Sequence, residues 1–180
     1  MFKLNKSLSW FAAVLILVSA CAEPEQEIFS GYSAEELAES DNSALIDVLK
    51  ASAYQRIIGT WGGHNSLWSI LEVASDEAVI AQKGGDWFDG GLWLRMHQHD
   101  YNPQEGAINN GWAYCYTAIG DVNLLLQQYD VPALEAELKV LRALVYLWLI
   151  DTWGNVPIVT EDSTDPTPPT NTRQEVFNFI

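Results

Sequence analysis

The sequence predicts an all-α protein. Two long segments carry apolar residues at three- and four-residue spacing, the pattern of a helix with one buried face. No segment alternates apolar and polar residues as a half-buried strand does. Apolar residues make up 48% of the 180 positions, enough for a buried core. The eight tryptophans also suit a binding surface, because an indole combines large apolar area with a hydrogen-bonding edge.

Residues 1–20 predict a targeting segment rather than a folded element. Lys3 and Lys6 precede the apolar run 8–18, and small residues then lead to Cys21. The run is too short to span a bilayer, which takes about 20 apolar residues. The stretch VSAC at 18–21 resembles a bacterial lipobox, which implies cleavage before Cys21 and a lipid anchor, palmitate included, on that residue. An ordinary secretory signal is the alternative.

Residues 21–40 are expected to form an acidic tether, and residues 41–180 the folded part. The tether begins with EPEQE at 23–27, which is too charged to pack and resembles the export signal of surface lipoproteins in the Bacteroidetes. Without residues 1–20 the chain holds 7 basic and 24 acidic residues, a formal charge of −17. This balance argues against nucleic acid as a partner. With Cys21 lipidated, Cys115 has no disulfide partner in this chain, and a buried, unreactive thiol is expected.

The folded part begins with two helices and a long loop. The first helix is predicted from apolar residues between positions 44 and 58, with Gly59 placed to end it. A shorter helix covers 67–73. Glycines and a proline interrupt the pattern over 78–105, which predicts a long loop with at most short irregular elements. Loops of this length are usually functional or disordered.

Two longer helices follow. The turn at 130–132 ends the first, and the second ends near Gly154. Because so short a turn joins them, the two helices are expected to pack antiparallel. A proline-rich connection then leads to TRQE at 172–175, a capping box that opens a last, short helix and suggests a truncated unit. The predicted inner faces are Ile108, Trp112, Tyr116, Ile119, Asn123 and Leu126 on the first long helix and Leu134, Leu138, Leu141, Val145, Trp148 and Leu149 on the second.

Residues 135–157, EAELKVLRALVYLWLIDTWGNVP, resemble the signature helix and following turn of the SusD/RagB family of outer-membrane lipoproteins. The resemblance covers nearly all of this chain but only the N-terminal part of the family. It implies paired helices similar to tetratricopeptide repeats (TPR-like), with long irregular loops on one side that bind glycan. Further matches in family order are the lipobox, Ser75-Asp76-Glu77, the spacing of Trp112, Tyr116, Ile119 and Asn123, and RQEVF at 173–177.

The same resemblance implies a function without a cofactor or a catalytic step. Members of the family are lipid-anchored in the outer membrane, face the cell surface and cap a SusC-like TonB-dependent transporter. They bind oligosaccharide and hand it to the transporter for nutrient uptake. Some members serve peptides, so the alternative is a peptide-binding importer lid or a protein-interaction scaffold without glycan contact.

The glycine-rich segment 82–95, QKGGDWFDGGLWLR, holds the predicted binding residues. A sugar ring has an apolar face and a polar rim, so its site needs an aromatic platform beside hydrogen-bonding side chains. Trp87, flanked by two glycine pairs, is the better candidate for exposure. A compact loop that packs on its own tryptophans is the alternative. The predicted ligand-binding residues are Gln82, Lys83, Asp86, Trp87, Asp89, Trp93 and Arg95.

Other candidate sites carry weaker signals. The segment HQHD at 97–100 lacks further metal ligands at a recognisable spacing, and the loop aspartates do not match a calcium-loop pattern, so no metal is predicted. A glycosidase needs two carboxylates that face one another across a cleft. Asp76 and Glu77 are adjacent in sequence, so enzyme activity is not expected. Arg142 is expected to form a structural ion pair with a carboxylate such as Asp151 or Asp76, which is a packing role.

Overall fold

A computed structural model describes residues 43–81, 83–100, 102–130 and 132–180. The targeting segment 1–20, the tether 21–40 with Cys21, and Gln82 lie outside the described residues. What the sequence predicts for them therefore stays a prediction.

The described residues are mostly helical, which confirms the all-α prediction. Among them, no helix has both the length and the apolar character that a membrane span requires. A TPR-like arrangement of the pairs remains a prediction. The helices are α1 (Ser43–Gly62), α2 (Leu67–Ala74), α3 (Leu92–His97), α4 (Gly106–Gln128), α5 (Pro132–Thr152) and α6 (Arg173–Phe179), with a short 3₁₀ helix at Asp89–Gly91.

The structure adds a small strand pair that the sequence did not predict. Strand β1 (Val156–Pro157) runs antiparallel to β2 (Thr170–Asn171), with Val156 opposite Asn171. Two residues are too few to show an alternating pattern. The pair brings the proline-rich connection back to the end of α5, and α6 begins directly after it at the predicted capping box of Thr172 and Glu175.

Helices α4 and α5 pack against each other in antiparallel directions, as predicted. Trp112, early in α4, contacts Trp153 just beyond the end of α5, with ring centroids 5.5 Å apart. Asn123, late in α4, accepts a hydrogen bond from Arg142 in the middle of α5. The predicted inner face of α5 is confirmed, with Trp148 half-buried at its edge: Leu134, Leu138, Leu141, Val145 and Leu149 are buried.

The buried face of α4 is rotated from the predicted stripe. Ile119 and Asn123 are buried as expected, but the other four predicted positions are only half-buried. Small residues instead allow neighbouring elements to come close: a Cβ added to Gly111 would lie 2.8 Å from Ile70 Cδ1 and 3.3 Å from the Trp153 ring. The aromatic rings flank this close contact. The buried face consists of Ala107, Gly111, Cys115, Ala118, Ile119, Val122 and Asn123.

Gly59 does not end α1, contrary to the prediction. The helix continues to Gly62, and the Gly63 amide still donates to the Gly59 carbonyl at 3.3 Å. A glycine inside a helix costs only about 1 kcal/mol, and the buried neighbours Ile57 and Thr60 offset it by packing on the core. The extra turn carries the chain to the edge of the groove described below.

Arg142 forms the predicted structural ion pair, but its partner is Glu161, so the suggested partners Asp151 and Asp76 were wrong. Its side chain is buried, and Nη1 donates to Glu161 Oε2 and, at 2.5 Å, to Asn123 Oδ1. Burial alone raises the pKa of Glu161, but the hydrogen bond and charge of Arg142 bring that pKa below its usual value. Glu161 lies in the connection after β1, so helix periodicity could not indicate it.

The structure confirms a buried thiol at Cys115, and we expect it to resist alkylation in the folded protein. The residue has no exposed surface, and burial raises its pKa to about 12. Because the thiolate is the reactive form, labelling by iodoacetamide at neutral pH is expected to be at least about a hundredfold slower than after unfolding. Mass spectrometry of the peptide that carries Cys115 checks this. Comparable rates in native buffer and in denaturant would contradict it.

Candidate functional site

An open groove of about 510 Å³ lies between the end of α1, the outer face of α2 and the loop that follows α2. Its volume is within the range of small-molecule sites in proteins. The lining is mixed, with aromatic rings, small residues and three side chains that can carry charge. It consists of Gly62, Gly63, His64, Trp68, Ser69, Glu72, Val73, Ala78, Val79, Ile80, Ala81, Lys83 and Trp87.

Trp68 faces this groove because of the phase of α2. Leu67, Ile70 and Val73 form the buried side of the helix, so the next position around the helix, Trp68, points outward. Its indole is 50% exposed. The sequence-based search missed Trp68 because it was confined to the glycine-rich loop. The helical phase of α2 was the signal that could have found it.

Trp87 lines the same groove from the loop, and its ring is exposed, as the sequence predicts. It is 55% exposed, and its ring meets the imidazole of His64 edge-on at 4.9 Å between centroids. Its backbone has a φ of 57°, a left-handed conformation that is uncommon and costly for a bulky residue. The loop therefore holds a large apolar ring in solvent on a strained backbone.

Trp93 is buried, and the prediction that it is a second platform was wrong. Its side chain is 1% exposed and packs in the cluster of Leu92, Met96 and Ile70. The indole Nε1 donates to Asp89 Oδ2 at 2.7 Å. The reason is that the chain forms a regular helix, α3, from residue 92, and this helix turns Trp93 toward α2.

Asp89 and Arg95 hold the loop in place. Besides the bond from Trp93, Asp89 Oδ2 lies 3.6 Å from His64 Nε2, and His64 in turn contacts both tryptophans. Arg95 donates to Glu105 through Nη2 at 2.7 Å and Nε at 3.2 Å, and to the Gly90 carbonyl at 2.8 Å. These hydrogen bonds tie α3 to the start of α4. Both side chains are therefore committed to supporting the Trp87 loop.

Lys83 and Asp86 are exposed, as is Asp89, and both belong to the predicted polar site residues. A tight turn joins them, in which the Asp86 amide donates to the Lys83 carbonyl at 3.1 Å. Only Lys83 of the two lines the groove. Glu72 also lines it, from α2, and burial together with the neighbouring Glu77 raises the pKa of the Glu72 carboxyl.

The other candidate residues do not come together. His99 Nε2 lies 2.6 Å from the Ala74 carbonyl oxygen, while His97 buries Nδ1 without a hydrogen-bond partner among the described residues. No cluster of three or more histidine, cysteine or acidic side chains in the described part of the chain is placed to hold a metal ion. What the groove offers a ligand is two aromatic faces, one ammonium, one carboxylate and one imidazole.

A family model and a curated relative both relate this chain to SusD-like proteins. Residues 33–180 match the family model SusD-like_3, described as starch-binding and associating with the outer membrane. The chain is similar to SusD-like protein P25 of Formosa agariphila, with 26% identity over 162 residues, which covers 74% of this chain. It spans 30% of that relative's length. No solved structure matches.

Proposed function

The chain belongs to the SusD-like family of starch-binding proteins that associate with the outer membrane, and we propose that it binds an oligosaccharide in the groove between Trp68 and Trp87. The two half-exposed tryptophans carry this proposal. Large apolar rings are normally covered, and two of them lining one groove offer stacking faces for the C–H surface of a sugar.

The surrounding contacts support a preformed site. Ser66 is buried and donates to the carbonyl of Trp61 at 2.6 Å, so the turn between α1 and α2 that carries His64 is fixed. Trp93, Asp89 and His64 then form a continuous support beneath Trp87. A rigid platform binds more tightly because less conformational freedom is lost on binding.

We further propose the family's cellular arrangement for this protein. Lipid on Cys21 anchors it in the outer membrane, and the acidic residues after it place the helical part at the cell surface. There it passes oligosaccharide to a SusC-like TonB-dependent transporter. The lipobox and the family description support this arrangement. A peptide-binding lid remains the alternative.

The test is binding of defined oligosaccharides to the complete mature protein without its lipid. We expect at least one starch-derived or plant oligosaccharide to bind saturably in calorimetry. Trp68→Ala and Trp87→Ala are each expected to weaken it about tenfold, as expected from the loss of about 1 to 1.5 kcal/mol of aromatic contact. The thermal midpoint should stay within a few degrees, because both rings are half-exposed.

Tyr114→Ala is the matched control. Tyr114 is also an exposed aromatic residue, but it lies on α4 outside the groove, so its loss leaves affinity unchanged. If Trp68→Ala, Trp87→Ala and Tyr114→Ala all bound the oligosaccharide as tightly as the unsubstituted protein, the groove would be ruled out as the binding site. Binding of peptides but of no glycan would replace the proposal by the importer-lid alternative.

A further inference from the structure

We propose that the groove selects an acidic oligosaccharide, one that carries a carboxylate or sulfate group, and that Lys83 binds this group. The inference rests on the proposed function, because it names the ligand class of the same groove. It starts from the way the cationic side chains of the described residues are used.

Among the lysines and arginines that the structure describes, Lys83 differs in having no partner for its charge. Within the described part of the chain, its ammonium makes no ion pair within 4 Å and no side-chain hydrogen bond, although the protein has a formal charge of −15. Arg173 donates to backbone carbonyls. The cations that pair with carboxylates are Lys50, Arg56, Arg95, Lys139 and Arg142.

Lys83 is placed where its unpaired ammonium can reach a bound ligand. It lines the groove that Trp68 and Trp87 also line, so a sugar stacked on either ring would bring its substituents toward the ammonium. An ion-paired hydrogen bond is roughly twice as strong as one between neutral groups. In so acidic a protein, a local cation is also what allows an anionic ligand to approach at all.

Acidic groups near the groove limit how negative the ligand can be. Glu72 lines the groove from α2, and Asp86 lies three residues after Lys83. Asp89 is held by Trp93 and faces His64. A single ammonium opposed by these carboxylates suits a ligand with isolated acidic groups rather than a densely charged one.

The experiment compares matched ligands that differ only in charge. The probes are oligogalacturonates against their methyl esters and sulfated galacto-oligosaccharides against their desulfated forms, titrated into the complete mature protein. We expect the acidic member of at least one pair to bind about tenfold more tightly than its neutral counterpart. The two pairs distinguish a carboxylate from a sulfate.

Lys83→Gln assigns that preference to the ammonium, since glutamine keeps a hydrogen-bond donor and loses the charge. We expect it to abolish the tenfold preference and to leave affinity for the neutral member within twofold. Lys139→Gln, which removes an exposed cation paired with Glu135 on α5, is the matched control and should change neither affinity. Glu72→Gln should strengthen acidic ligands severalfold.

The remaining outcomes overturn this inference alone or together with the proposed function. If the neutral oligosaccharides bind as tightly as the acidic ones, and Trp87→Ala weakens both, the groove is still the glycan site. The proposed preference for acidic oligosaccharides is then wrong. A preference that persists in Lys83→Gln moves the charge recognition elsewhere. Failure of every acidic and neutral probe, including the starch-derived ones, would remove both the proposed function and this inference.

Discussion

Replacing Arg142 by alanine is expected to lower the free energy of unfolding by about 3 kcal/mol, the lower end of the range for breaking a buried ion pair. The substitution leaves two oxygens without their donor, the carboxylate of Glu161 and Oδ1 of Asn123. The lower end applies because the Glu161 side chain is 21% exposed and keeps some contact with water. Denaturant unfolding followed by circular dichroism measures the loss.

Lys139→Ala is the control on the same helix. Lys139 pairs with Glu135 one turn away, but both side chains are about half exposed, so the loss should be under about 0.5 kcal/mol. In the double variant Arg142→Met with Glu161→Gln, part of the Arg142→Ala loss should be recovered, because no unpaired charge remains. A loss below about 1 kcal/mol for Arg142→Ala would show that the segment after β1 does not depend on this pair.

Helix periodicity predicted most of the fold because the long helices each bury one side. The inner face of α5 could be predicted almost residue by residue, since its buried positions are leucines and valines at helical spacing. The same reasoning misplaced the buried face of α4. There the close contact is made by Gly111 and alanines, which carry little apolar signal, and the larger rings sit at the edge.

The partner of Arg142 could not be predicted for a different reason. A helix pattern relates residues on one element, whereas Glu161 reaches Arg142 from the connection after β1. Tyr146 fixes this connection, because its hydroxyl accepts from the Val159 amide at 2.7 Å. Contacts of this kind depend on how an irregular segment returns to the core, which no local spacing encodes.

The sequence predicted the exposure of Trp87 in the glycine-rich segment 82–95 but not the burial of Trp93. Glycine pairs on either side of Trp87 indicated a turn that exposes the ring, and the structure has Gly84, Gly90 and Gly91 in left-handed conformations. The same glycines suggested that Trp93 was also in a loop. Yet LWLRMH is apolar enough to form a short helix against α2, and that packing buries Trp93 while the helical phase of α2 exposes Trp68.

This difference between two tryptophans six residues apart is the second large effect we expect. Trp93→Ala should lower the free energy of unfolding by about 3 to 5 kcal/mol, because it empties a closely packed site and leaves Asp89 without the indole N–H. Trp87→Ala should cost less than about 1 kcal/mol, since more than half of its ring already faces water. Thermal and denaturant unfolding of both variants, side by side, measures the contrast.

Oligosaccharide affinity distinguishes a tryptophan that supports the loop from one that contacts the ligand. Trp93→Phe keeps a ring in the core but loses part of its volume and the N–H that positions Asp89, so it should destabilise less than alanine and weaken oligosaccharide binding only slightly. Trp87→Phe keeps a smaller platform and should retain part of the affinity that Trp87→Ala loses. If Trp93→Phe instead abolished binding at an unchanged thermal midpoint, the indole of Trp93 would have to touch the ligand directly. Such contact requires the loop to open, because in this structure His64 and the buried cluster with Ile70 of α2 and Ala107 of α4 cover that ring.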